Sequence, residues 1–599
     1  MKSGRDHCRK RISVPAPVQI PAFSLSARFL KHIFTARWLV LLAAAVALVS
    51  LVAYYPDVAD DFDIWWHLKY GEHFVRRHTW AIDHAAFSWT PSDPAWIYVS
   101  WLGSSLLYLI HQVGGYLALV ALQWLIFFGM AGLFLEFIRR SQSAWTMCHL
   151  AGLLLAGVAM NPVAVYIKPE LFTQLFFTIA IFIYFVGKAT RKNLFWIYPP
   201  LFLVWVNTHG GFVIGLGFIT LALAAEAASY VFEHPDRMTK AGLWKFAASV
   251  GLVYVAALVN PHGFNYWLNI MESAAQGGSH VQSITAYSPL WIYLFPPGFP
   301  FRKINTAWAM LLMAAVLLFL AGAGLSRRKQ LSPPVLALNL VFFVFGFLVF
   351  RASIYFCILW LFSCHYLCRL GQWRSNLPPA AAFLFSLAVS GMIFYETIVY
   401  NTYDSRFGAR IANYIPAASA AMVEQYDLPG PLFNDYLSGG YLVWAMDPGH
   451  KVFIDPRYGP YQATGVWQNY LALVAGGDLR LLDFKYRCNT AVIMNDNYRL
   501  INPFLKSAEW ALVYFDAAAA VFVRKTCLGA LRGPEWSADM RPEKFSGISN
   551  PHILTAVFYL YCHYHPPSAS AIIAYYEANV RNSYKGKQFD IRRMKAILP

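Results

Sequence analysis

Between positions 60 and 72 the chain reads Asp60-Asp61-Phe62-Asp63-Ile64-Trp65-Trp66-His67-Leu68-Lys69-Tyr70-Gly71-Glu72. Carboxylates, an imidazole and an ammonium thus fall within a few helical turns of one another. At 100° per residue Asp63, His67 and Tyr70 form a polar stripe at i, i+4 and i+7. Ile64, Leu68 and Val75 form an apolar stripe beside it. The pattern predicts a helix lying in a membrane interface on Ile64 and Leu68, with Trp65-Trp66 as an aromatic anchor and Asp63 and His67 turned toward a cavity. A carboxylate so placed can act as a general base, and nearby cations and imidazoles can steady an anionic leaving group.

Groups of the same kind recur at the ends of later apolar runs. They are Lys168-Pro169-Glu170, Asn207-Thr208-His209-Gly210-Gly211, Asn260-Pro261-His262-Gly263 and Arg351. Taken singly, each could be a helix cap or a snorkelling side chain. Ionisable groups at a bilayer boundary are costly unless they line a cavity or find partners, and the adjacent Gly and Pro favour breaks where backbone lines water or protein. Together they predict one polar hollow at one membrane face. Such a hollow suits a substrate with a lipid tail and a phosphate-linked polar head. In group transfer from such a carrier, a base takes the proton of an acceptor hydroxyl, the anomeric carbon develops positive character, and charge gathers on the departing phosphate. Each well-placed donor there is worth about 3 to 4 kcal/mol of barrier.

The elements that must position these groups are membrane spans. Of 599 residues, 58% are hydrophobic and only 13% charged, about half the charge of a soluble domain. Apolar runs lie near 36–55, 115–138, 145–161, 170–187, 194–207, 211–233, 243–260, 306–325, 333–350, 352–370 and 378–400, roughly eleven in all. With the basic tail 1–35 in the cytoplasm, Arg139/Arg140, Lys188/Arg191/Lys192, Arg237/Lys240, Arg327/Arg328/Lys329 and Arg369/Arg374 all fall inside. That register requires 96–110 to be a second helix on the outer surface rather than a span, with Trp96, Tyr98 and Trp101 at headgroup level. The first outer loop, 56–113, then carries two interfacial helices. The formal charge of +17 reflects this topology, and nucleic acid is not an expected partner.

From 401 the apolar runs shorten to strand length: Lys451–Asp455, Ala491–Met494, Ala511–Tyr514 and Ala520–Val523. Residues 401–548 therefore predict an extracytoplasmic α/β domain, and 549–599 a helical hairpin broken at Pro566-Pro567. Asn434-Asp435-Tyr436 and Asp455-Pro456-Arg457 lie at strand ends, as structural turns or, alternatively, in acceptor recognition. Cys357, Cys364 and Cys368 read as packing residues; Cys488, Cys527 and Cys562 leave room for one disulfide.

The layout, with Asp63–Glu72, Phe433–Trp444 and Phe453–Arg457, resembles the GT-C superfamily of membrane glycosyltransferases, which includes protein O-mannosyltransferases and the lipid A aminoarabinose transferase, and within it a set of bacterial membrane proteins. The resemblance implies a polytopic helical membrane protein of the plasma membrane with an outer carboxyl-terminal domain. It also implies an inverting glycosyltransferase using a polyprenyl-phosphate-linked sugar and a glycan, lipid or protein acceptor. The family's first-loop acid maps onto Asp63, with Asp61 as the alternative, and a second outer-loop acid onto Glu170. His67, Lys168, Asn207, His209, Asn260, His262 and Arg351 are the candidates for the donor phosphate, and Asn434, Asp435, Asp455 and Arg457 for the acceptor. No cofactor is required; a divalent cation, Mg or Mn, could sit on Asp61, Asp63 and Glu170. The competing readings are a transporter or flippase of lipid-linked substrate, and a non-catalytic envelope assembly protein.

Overall fold

The computed structural model describes residues 61–372 and 415–529 apart from short internal gaps, helix 566–579, and a few isolated positions. The tail 1–35 and the expected span 36–55 lie outside the described residues, as do most of 378–400 and of 549–599.

Helices stand where the remaining spans were expected. After α1 (Asp63–Arg77) and α2 (Trp101–Arg140) come α3 (Met147–Ala164), α4 (Glu170–Thr190), α5 (Tyr198–Thr208), α6 (Phe212–Val231) and α7 (Lys240–Ala256). They are followed by α8 (Phe301–Ser326), α9 (Pro333–Leu348) and α10 (Ser353–Leu370). Among the described residues, 5 helices are long and apolar enough to cross a membrane. The chain is a multi-pass helical membrane protein. Helices α4 and α10 form its centre, with Phe177, Ile181, Phe185, Phe356, Leu359 and Phe362 all buried. The outer face of α2, in contrast, leaves Leu125, Phe128 and Leu135 exposed, as lipid contact requires.

Helix α2 is two helices joined at a break. Gly114 and Gly115 leave helical geometry, Gly115 with φ of 59° and ψ of −149°, a conformation that only glycine adopts without strain. The expected outer helix is therefore present, but it starts at Trp101 rather than at 96. Neither Trp96 nor Tyr98 is a headgroup anchor. Tyr98 is buried, and Trp96 packs so closely on Gly459 that a Cβ there would meet its indole at 2.1 Å.

The carboxyl-terminal part holds a four-stranded sheet of order β1-β2-β4-β3, with β1 (Leu432–Asn434), β2 (Thr490–Met494), β3 (Trp510–Phe515) and β4 (Ala519–Arg524). β1 runs parallel to β2, with Leu432 opposite Thr490. β2 and β3 both pair antiparallel with β4. Both faces of β2 and nearly all of β4 are buried, which fits their unbroken apolar runs. Around the sheet lie α11 (Ala417–Gln425), α12 (Ser438–Met446), α13 (Val466–Val474) and α14 (Tyr498–Lys506); α15 (Pro566–Asn579) follows.

Lys451–Asp455 was expected to be a strand and is not a member of this sheet. Val452 makes only an isolated bridge to Ser88, because other groups already take its backbone hydrogen bonds. Asn434 Oδ1 accepts from Phe453 N (2.8 Å), Asn434 Nδ2 donates to Ile454 O (2.7 Å), and Thr90 Oγ1 donates to Phe453 O (2.5 Å). Cys488, Cys527 and Cys562 are free thiols, so no disulfide joins them.

Helix α1 departs most from its expected setting. Ile64 and Leu68 do not lie on lipid, and Trp65 is no anchor: all three are buried, Trp65 edge-on to Tyr441 at 5.0 Å. The helix is enclosed between α2 and α12. A Cβ on Gly71 would meet Ser104 O at 2.2 Å, and one on Gly440 would meet Phe62 O at 2.3 Å. The enclosure is fastened by a buried charge. Asp455 accepts from Arg457 Nε (2.6 Å), Arg457 Nη2 (2.5 Å) and Tyr461 OH (2.5 Å), while Arg457 Nη1 donates to Tyr70 OH (2.8 Å) on α1.

Removing one partner of such a pair leaves an uncompensated buried charge. Arg457→Met is therefore expected to destabilise the protein by about 3–5 kcal/mol, and Tyr70→Phe by only about 1 kcal/mol. Thermal unfolding of the detergent-purified protein checks both; equal melting temperatures for Arg457→Met and wild type would show that the knot does not hold the two parts together.

Candidate functional site

Asp63 opens α1, where the exposed N–H groups of the first turn favour a negative charge. Its backbone N–H donates to Asp61 Oδ1 (3.0 Å), which folds the two acids toward one side. Asp63 Oδ1 accepts from Trp66 Nε1 (3.3 Å) and Oδ2 from Lys168 Nζ (3.1 Å). Lys168 also lies 3.8 Å from Asp61. Burial opposes ionisation of Asp63, but the Lys168 ammonium and His67, with the bonds from Lys168 and Trp66, outweigh it and hold the carboxyl below its ordinary value. The Asp63 side chain stays 33% exposed, so a hydroxyl can approach it. Lys168 is held charged well above its usual range: burial disfavours the ammonium, but Asp61 and Asp63 more than compensate.

Two residues on, Glu170 begins α4 and is bound through both oxygens by Arg351, whose Nε donates at 2.8 and 2.9 Å and whose Nη2 also donates. The fork-on-carboxylate geometry joins the start of α4 to the start of α10. Carboxylates and cations thus alternate across this end of the bundle: Asp61 and Asp63, then Lys168, then Glu170, then Arg351.

Both imidazoles belong to the same group. His67 is buried and shares its Nδ1 with Tyr98 OH (2.6 Å) and Ser104 Oγ (3.2 Å), while Trp66 stacks on its ring at 3.7 Å. Burial pushes it well below the usual imidazole value despite the pull of Asp63, and the charges of Lys168, His209 and Arg351 push the same way. His209 Nδ1 accepts from Gly211 N (3.0 Å). A backbone N–H can only donate, so the neutral ring carries its proton on Nε2. Thr173 Oγ1, which accepts from Trp205 Nε1 (2.8 Å), lies 2.9 Å from the same nitrogen.

The remaining candidates are placed otherwise. Asn207 is a joint: Oδ1 accepts from Trp101 Nε1 (3.1 Å), and Nδ2 donates to Leu203 O and Val259 O (both 2.9 Å). Asn260 closes its own turn, accepting from His262 N (2.9 Å) and donating to Ala257 O (3.0 Å) and Gly263 O (3.3 Å). His262 makes no contact with the acidic cluster among the bonds described. Asn434, Asp435, Asp455 and Arg457 are buried. Asp435 accepts from Ser438 N (3.0 Å) and Met494 N (2.5 Å), and the other three serve the structural contacts given above. The sequence reading missed Tyr98 and Ser104, which fix His67. The only signal was that they sit in the expected second outer helix, whose polar face must meet something.

Among the described residues no three of His, Cys, Asp and Glu converge on a point that could hold a metal ion. Of Asp61, Asp63 and Glu170, the first two lie 3.8 and 3.1 Å from Lys168, and both oxygens of Glu170 accept from Arg351.

His209 gives the site a pH signature. Its pKa is pulled from 6.5 down to about 4, chiefly by burial, with Glu170 opposing and Arg351 and Lys168 assisting. The unfolded ring binds a proton below 6.5 while the folded one stays neutral until about 4, so stability falls as pH drops through that window. Asp63, with its pKa lowered, contributes stability that is lost only below the ordinary carboxylate value of 3.8. His209→Asn, which keeps an acceptor for Gly211 N and does not titrate, is expected to flatten the loss of melting temperature across the upper window. An unchanged slope would remove His209 as its cause.

No family model matches the sequence, and no curated protein matches it. Among solved structures the chain is similar to ArnT from Cupriavidus metallidurans bound to undecaprenyl phosphate, at 14% identity and a TM-score of 0.48, over 83% of this chain and 99% of that one. It is similar to the Archaeoglobus fulgidus oligosaccharyltransferase at 13% identity and 0.45, over 81% and 74%. It is also similar to the mycobacterial arabinofuranosyltransferase AftD at 14% and 0.45, over 82% and 40%. The second and third are transferases by name. At such identities and scores they add no argument about function, which rests on the side chains described above.

Proposed function

We propose that the chain is a glycosyltransferase that moves a sugar from a polyprenyl-phosphate-linked donor to an acceptor on the extracytoplasmic side of the plasma membrane. The observation that carries this reading is the alternation of carboxylates and cations at one end of the bundle, with a partly exposed, ionised Asp63 beside Lys168. An ionised acid and a phosphate-binding cation 3.1 Å apart are the two groups that a single displacement at a sugar phosphate needs.

In that displacement Asp63 takes the proton of the acceptor hydroxyl as its oxygen bonds to the anomeric carbon. The bond from that carbon to the phosphate oxygen breaks on the opposite face, inverting the centre, and the electron pair stays on the phosphate. Lys168, and Arg351 held in orientation by Glu170, meet the charge that develops there. The reaction balances with these side chains, and no step passes through a metal. Asp61 shares Lys168 with Asp63 and is the alternative base. His67 and His209, both neutral near pH 7, serve as hydrogen-bonding groups rather than as further charges.

The orientation is part of the proposal. Arg369 reaches Ala189 O at the far end of α4, and Lys188 stands there too, beside Asp236. Clustered Lys and Arg favour the cytoplasmic side, which supports an outer position for Asp63. Glu226, the deep carboxylate that a transporter would use, is buried against Lys188 at 2.8 Å.

Asp63→Asn is expected to fold and insert normally, Glu170→Gln to lose some stability because Arg351 is left without its carboxylate, and each to lower transfer per folded molecule by about 10²–10⁴-fold. The measurement is mass spectrometry of cell-envelope glycans from a deletion strain carrying wild-type or variant protein. A sugar that disappears on deletion and returns only with wild type supports the assignment; wild-type levels from both variants would sink it.

A further inference from the structure

About 27 Å along α4 from Glu170, taking the 1.5 Å rise per residue, Lys188 lies at the floor of a second polar site. A cavity of about 390 Å³ opens there, lined by Lys188, Lys192, Asp236, Arg237, Tyr366 and Arg369 among others. That volume lies in the range of small-molecule sites.

The floor is fixed by buried bonds. Lys188 Nζ is 2.8 Å from Glu226 Oε1 and 2.9 Å from Asp236 Oδ2, and it donates to Asp236 O (2.9 Å). Tyr184 OH donates to Glu226 (2.6 Å) and Tyr366 OH to Asp236 (2.5 Å). The charge of Lys188 is thus consumed by two carboxylates. Three further cations stand at the mouth. Arg369 is anchored only through Nη1 to Ala189 O (3.1 Å) among the bonds described, Arg237 lies 4.0 Å from exposed Glu233 and 5.7 Å from the centre of the Tyr230 ring, and Lys192 is exposed. The same cavity meets the start of α7, where Thr239 Oγ1 accepts from Gly242 N (3.1 Å) and both residues line the space. A helix start adds positive potential to the three side-chain charges.

Basic residues at this end are expected from topology alone. Topology does not require them to surround a cavity, and the three cations at the mouth outnumber the one negative charge that Lys188 leaves uncompensated on the two floor carboxylates. We infer that this cavity is an anion site for a phosphomonoester group, carried either by a lipid headgroup or by a soluble phosphate. A phosphomonoester carries close to two negative charges near neutral pH, and forked guanidiniums suit its oxygens. The inference does not rest on the transfer reading and involves a different end of the molecule.

The test uses full-length protein in which Lys168→Gln weakens the far end, compared with the same protein also carrying Arg237→Gln and Arg369→Gln. Both arginines are exposed, and equal melting temperatures check folding. In detergent, inorganic phosphate is titrated and followed by phosphorus NMR. In nanodiscs of phosphatidylcholine doped with phosphatidic acid, native mass spectrometry counts retained phosphatidic acid. Saturable binding in either arm that the double replacement weakens by about tenfold or more supports the site, and the responding arm identifies the source. Equal binding with and without the two arginines, or no saturable binding in either arm, overturns it. Normal sugar transfer when Arg237→Gln and Arg369→Gln are made with Lys168 intact would show that the two ends act separately.

Discussion

Arg457 cannot reach bulk water, and its charge is met by Asp455, Tyr461 and Tyr70 within 2.8 Å. The placement of the first outer helix depends on that contact. Tyr70 comes from α1 and the other three from the carboxyl-terminal part, so Arg457 Nη1 has Tyr70 as its acceptor only when the two are docked. Once they are, α1 has no freedom to roll: Gly71 is pressed on α2 and Gly440 on the backbone of Phe62. Asp63, one residue after Phe62, is then aimed at Lys168.

The site itself is a problem in placing charge near lipid. Five carboxylates and cations within a short distance would be costly if unpaired. Here each acid has a cation and each cation an acid, yet the pairs are unequal. Glu170 and Arg351 form a closed, forked contact, with Glu170 almost wholly buried. Asp63 and Lys168 form a looser one with the carboxylate partly wet. In the proposed transfer, the donor phosphate would recruit Lys168 without breaking the tight pair and would leave Asp63 more basic. The far end of α4 follows the same rule with another result, since Lys188 is shared by two acids and fully enclosed.

Much of the site was legible before any coordinates. Lys168, Glu170, His209 and Arg351 stand at helix ends that alternating spans must bring to one face, so topology alone gathered them with Asp63. Asn207, Asn260 and His262 satisfied the same rule but are spent on helix ends and turns. A helix terminus needs caps, and the residue types that cap are those that bind ligands. The strand expected before Asn434-Asp435-Tyr436 is β1, three residues long and ending at Asn434. Lys451–Asp455 has a strand's composition, but its hydrogen bonds go to Asn434 and the first outer loop.

The sequence by itself determined that the chain crosses the membrane many times, where most helices lie, and which charged groups share a face. Those follow from apolar run length and from Lys and Arg asymmetry, which are local properties of the chain. Tertiary structure alone decided what covers α1. Ile64, Trp65 and Leu68 are equally content against lipid or against protein, because both are apolar, and hydrophobic periodicity does not distinguish the two. Only the folded carboxyl-terminal part, held by a buried arginine from nearly four hundred positions away in the chain, settles the matter.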